Sequence, residues 1–137
     1  MKKNQIYCPY CGAQAILRPA NFVHGHSELS KGKHLYVCRN WPKCDSYVTA
    51  HQYDRTPMGT LANGDLRHKR IQAHKALEKY QKITRMDRWA KYLWLEGKLG
   101  LDARSTHIGL FSEETCDEVI TLCNEAIRNY RKDRKVG

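Results

Sequence analysis

Four cysteines in the first third of the chain have the residue type and spacing of a metal site. Cys8 and Cys11 bracket Pro9-Tyr10 and run into Gly12, while Cys38 and Cys44 bracket Arg39-Asn40-Trp41-Pro42-Lys43. Two thiol pairs on one short segment suit a tetrahedral zinc ion. Each pair delivers two thiolates from a tight turn, and the ion ties the turns together through bonds of about 2.3 Å. Gly12 fits the first turn, where the backbone often takes positive φ. The Cys38–Cys44 interval is longer than the usual spacer of about two to four residues. The alternative is that these thiols form disulfides or sit in a core. The sequence shows no signal peptide and no apolar run of bilayer length. That predicts a cytoplasmic setting without membrane association, where disulfides rarely persist. The expected cofactor is therefore one structural Zn2+ held by Cys8, Cys11, Cys38 and Cys44.

These turns need strands to hold them. Residues 13–18 read as a first strand, with Pro19 poorly suited to continue a central one because it lacks an N–H. Residues 23–33 have turn composition and are expected to form a hairpin tip or mobile loop. His34-Leu35-Tyr36-Val37 is rich in β-formers and leads into Cys38, and residues 46–50 leave the second turn as a third strand. The fold class expected is α+β: a three-stranded antiparallel zinc ribbon over residues 1–52, a connector over 53–59, and a small three-helix unit over 60–137. Residues 1–5 form a basic lead-in.

The first helix is expected to start near Thr60 or Asn63, with Leu66, Ala73, Leu77 and Tyr80 on one face and Arg70 interrupting the stripe. The second runs from Asp87 to Leu99, with Trp89, Ala90, Leu93 and Trp94 turned inward and Gly100 closing it. The third starts at Ser112, with Glu113 and Glu114 at the positive end of the helix dipole. Cys116, Val119, Ile120, Cys123 and Ile127 follow at helical spacing. Cys116 and Cys123 are expected to pack as small hydrophobes, with residues 131–135 as a frayed basic tail.

The chain carries 24 Lys and Arg against 14 Asp and Glu, a net charge of +10. Residues 1–50 and 64–98 are net basic, whereas 99–127 are net acidic. Such a balance favours polyanionic partners, with nucleic acid first. Arg18, Lys33, Arg39 and Lys43 on the ribbon, with Trp41 as a stacking platform, form a mixture that suits single-stranded DNA or RNA. Arg67, Lys69, Arg70 and Lys75 extend it along the first helix. No His-Asn nuclease pattern, phosphate-binding Gly-Lys-Ser/Thr loop or Ser-His-Asp set can be placed, and a four-cysteine site offers no activated water. The expectation is a protein without catalytic activity.

The ribbon residues carry a resemblance. Cys8-Pro9-Tyr10-Cys11-Gly12, followed by a β segment with Arg18 and then by Cys38-Arg39-Asn40-Trp41-Pro42-Lys43-Cys44, resembles the C-terminal zinc ribbons of type IA topoisomerases. The insert from Asn21 to His34 is longer than in most of those. Their catalytic tyrosine lies in a separate domain with no counterpart here, so the resemblance does not imply cleavage. The chain is also similar, through Thr56 to Asn63 and His107 to Phe111, to small phage and plasmid zinc-finger-containing proteins of unassigned function. That likeness implies a fold and a viral origin. It also opens an alternative, a phage inhibitor or adaptor acting on a host nucleoprotein machine such as a CRISPR effector or an RNA polymerase.

Overall fold

The computed structural model of the chain describes residues 5–136. Residues 1–4 of the expected basic lead-in, and Gly137, lie outside the described residues. The architecture is α+β, a three-stranded antiparallel sheet followed by helices. Two compact units divide the chain, residues 1–65 and 66–137.

In the first unit, β1 (Ala15–Pro19), β2 (His34–Cys38) and β3 (Tyr47–Thr49) pair in that order, with Ala15 opposite Cys38 and Tyr36 opposite Val48. Pro19 ends an edge strand, where its missing N–H costs no ladder bond. The central strand sends alternate side chains to opposite faces, and both faces are covered. Tyr36 and Cys38 pack with Cys8, Ala15, Ala50 and Leu61. Leu35 and Val37 pack with Ala20, flanked by Val23, Trp41 and Tyr47.

Two stretches are more ordered than their composition predicts. The insert contains a one-turn helix, α1 (Asn21–His24), and a turn in which buried Ser30 donates from Oγ to the Gly25 carbonyl at 2.7 Å. Ala20 and Val23 bring this insert onto the sheet. Residues 57–62 add to the ribbon itself. Ala50 bridges to Pro57, Tyr47 and Ala62 exchange backbone bonds at 3.1 and 3.0 Å, and Leu61 is fully buried in the Tyr36 cluster. Glycine and proline at this point mark a turn that carries a core residue, and the helix after it starts at Gly64.

In the second unit, α2 (Gly64–Thr84) buries Leu66, Arg70, Ala73, Leu77 and Tyr80 at three- and four-residue spacing. The helix α3 (Arg88–Leu99) ends at Gly100, whose φ of +68° suits the left-handed C-terminal turn and whose N–H bonds to the Glu96 carbonyl at 2.9 Å. Its inward face differs from the expected one. Lys91 and Leu95 are buried, one helical turn apart, while Trp89 and Leu93 are 68% and 57% exposed. Lys91 buries its aliphatic stem and brings Nζ to Gln81 Oε1 at 2.7 Å. Trp94 packs on Tyr80 with ring centroids 4.4 Å apart. Asp87 stands at the N-cap position without a side-chain bond.

A 3-10 turn at Ile108–Leu110 buries Ile108 ahead of α4 (Glu113–Val136). Ser112 Oγ accepts the Thr115 N–H at 3.2 Å, the cap expected from the sequence. Cys116, Val119, Cys123 and Ile127 are buried and Ile120 half-buried. The helix continues through the stretch expected to fray. Among the described residues no helix is long and apolar enough to cross a membrane.

Candidate metal centre

The loop before β1 and the turn after β2 deliver the four thiols to one place. In the first, the Cys8 N–H bonds to the Ala13 carbonyl at 2.8 Å and the Gly12 N–H to the Cys8 carbonyl at 2.9 Å. Gly12 sits at φ +78°, a conformation that a side chain would strain. In the second, the Trp41 N–H bonds to the Cys38 carbonyl and the Cys44 N–H to the Asn40 carbonyl, at 2.9 and 3.0 Å. These two bonds fold the long interval into a compact turn, so Cys38 and Cys44 meet despite their separation.

The ligand atoms of Cys8, Cys11, Cys38 and Cys44 all lie within 4.8 Å of one another. Cys8 and Cys44 sulfurs are 3.6 Å apart, and those of Cys11 and Cys38 are 3.4 Å apart. Four sulfurs each about 2.3 Å from a tetrahedral centre would be about 3.8 Å from one another, so these positions fit the ion with small adjustments. All four cysteines are free thiols. Polar groups turn toward the sulfurs. The Asn40 N–H reaches Cys38 Sγ at 3.5 Å, its side-chain amide donates to Cys11 Sγ at 3.4 Å, and the Ser46 hydroxyl lies 3.5 Å from Cys44 Sγ. Such outer donors orient thiolates and disperse their charge.

The thiols differ in acidity. Hydrogen bonds from the Ala13 backbone, the Cys38 thiol and Asn40 bring Cys11 down to about 6. Burial pushes Cys38 up to about 12. Four thiolates in one cluster repel each other, and a dication is the natural counter-charge. Zinc binding there would release protons, which makes affinity fall as pH falls.

The residues named for polyanion contact fall into three groups. Lys33, Arg39, Lys43 and Lys75 are exposed. Arg18 and Trp41 are half-buried: the Arg18 guanidinium lies 4.4 Å over the Phe22 ring, and Trp41 packs edge-to-face on Tyr47 at 6.0 Å. Trp41 thus helps build the second face of the sheet. On α2, Arg67 is half-buried, and two residues are committed internally. Arg70 is 9% exposed and donates from Nε to the Phe111 carbonyl at 3.1 Å, and Lys69 pairs with Asp117 at 2.6 Å. Both tie α2 to α4 or its entry. The expectation of a free basic face there is corrected for Arg70 and Lys69. For Arg70 the local pattern held a signal, since it interrupts the apolar stripe between Leu66 and Ala73; nothing local marks Lys69, whose partner Asp117 is distant in sequence.

The chain belongs to a family of zinc-finger-containing domains, whose model matches residues 4–126. No curated protein and no solved structure matches it.

Proposed function

We propose that this zinc-finger-containing chain is a non-catalytic nucleic-acid-binding protein whose ribbon is held by one structural zinc ion. Cys8, Cys11, Cys38 and Cys44 would hold the ion, which supplies cross-linking of the two turns. Four protein sulfurs complete a tetrahedron and leave no position for a substrate or an activated water. The observation that carries the nucleic-acid reading is the net charge of +10, concentrated in the ribbon and the middle segment. Arg39 and Lys43 stand exposed within the second zinc turn itself, on either side of Asn40. A metal-fixed turn holds the backbone of both residues in place, so only side-chain freedom is lost on meeting a phosphate, and the attraction is long-ranged. The resemblance to small phage and plasmid proteins supports a viral origin and action in a host cytoplasm.

The test is titration of labelled single-stranded DNA and RNA with the zinc-loaded full chain over a salt series. Log K should fall linearly with log salt, and Arg39→Gln with Lys43→Gln should flatten the slope by about 0.7 for each phosphate no longer neutralised. Absence of binding at low salt, with tight capture of one host protein after nuclease treatment, would overturn this reading in favour of a host-directed inhibitor.

A further inference from the structure

The helical unit carries a cleft of about 410 Å³ lined by Lys75, Glu78, Lys79, Lys82, Ile83 and Arg131. Four cations face one carboxylate there. Lys75, Lys79, Lys82 and Arg131 are all exposed, and among the described residues none of the four enters an ion pair. That sets them apart from Lys69, which Asp117 neutralises, and from Arg70, which is buried on Phe111. The available positive charge of α2 therefore lies farther along the helix than its densest basic run.

We propose that this cleft seats the phosphate backbone of a nucleic acid. The proposal rests on the nucleic-acid reading above and gives it a second, separate contact site. Lys75, Lys79 and Lys82 follow at four- and three-residue intervals, so they share one face of the helix. Their span is about 10.5 Å of helix rise, and their flexible stems extend that reach, so the three ammoniums can follow successive phosphates of one strand. Arg131 adds a cation from α4. A concave wall of one sign concentrates the field that draws in a polyanion. Lysine ammoniums act on phosphate as hydrated point charges. No aromatic side chain lines the cleft to stack a base, so the contact argued here is with the backbone, which positions the strand. A membrane surface fits less well, since Ile83 alone supplies little apolar area for insertion.

Fluorescence anisotropy with the zinc-loaded full chain and a single-stranded oligonucleotide tests this. The triple variant Lys75→Gln, Lys79→Gln, Lys82→Gln should flatten the salt slope by about 2 and weaken binding about 100-fold at about 0.1 M salt, the curves converging near about 1 M. Glu78→Gln should tighten binding about fivefold at the lower salt, a gain that misfolding cannot produce. A triple variant that binds like wild type, while Arg39→Gln with Lys43→Gln weakens binding, overturns the cleft and leaves the nucleic-acid reading intact. A wild-type chain that binds no oligonucleotide overturns both. Polyglutamate displacing the oligonucleotide at equal charge concentration overturns phosphate as the occupant.

Discussion

In the ribbon, two of the six buried residues clustered around Tyr36, namely Cys8 and Cys38, are also metal-ligand candidates. In the helical unit, Cys116 and Cys123 are buried on α4 beside Val119 and Ile127 in sequence register, and neither joins a metal cluster among the described residues. The same side chain serves opposite ends. In the ribbon, amide and hydroxyl groups reach Cys11, Cys38 and Cys44; Cys11 is brought down to about 6, while burial takes Cys38 up to about 12. In the helices, burial alone pushes Cys123 up to about 11. Three of the four clustered thiols have an amide or hydroxyl group within reach, whereas the two that fill space in α4 sit among apolar side chains. The ribbon is too small for apolar burial alone to hold it, so its stability should follow the metal, while that of the helices should follow packing.

The largest effect expected from this contrast is selective unfolding by a chelator. Stripping zinc should expose the amides of β1, β2 and β3 to hydrogen exchange while α2, α3 and α4 keep their protection. Structural zinc sites contribute about 10–16 kcal/mol at neutral pH, more than a unit of this size could replace. Equal loss of protection in both units would break the comparison.

A smaller effect separates the two cations that join α2 to α4 or its entry. Arg70→Met should cost about 1–3 kcal/mol, because the buried Phe111 carbonyl loses a donor. Lys69→Met should cost less than about 1 kcal/mol, since its pair with Asp117 is solvent-screened. Urea melts followed by helical circular dichroism would measure both, and a costlier Lys69 change would reverse the assignment.

The smallest effect is a pH dependence. The folded-state pKa of Cys123 is raised above its ordinary value, so its contribution is fully present below about pH 9 and is lost as pH rises toward about 11. Burial raises Cys116 and Tyr80 in the same direction. Melting temperatures of the helical unit should fall over that range, and Cys123→Ala should flatten the fall.

The four-cysteine cluster was legible because coordination constrains both residue type and spacing. Cys8, Cys11, Cys38 and Cys44 could be named before any strand was placed. The Ser112 cap was equally plain, because its Oγ serves a backbone group three residues away. The inward face of α3 was not. Trp89, Leu93, Trp94 and Leu95 surround that helix with apolar groups, and periodicity cannot choose among them. The choice falls to Leu95 and to Lys91, whose stem is buried only because Gln81 receives its ammonium. Leu61 was hidden in the same way, as a core residue inside a turn-like stretch. Such cases depend on partners distant in sequence, which local pattern does not record.

Zinc stoichiometry in three versions of the chain tests the central claim most directly. Elemental analysis of protein purified without added metal should find one zinc per chain in the wild type, none in Cys38→Ser, and one in Cys123→Ser. Zinc absent from the wild type, or retained by Cys38→Ser and lost from Cys123→Ser, would contradict the account.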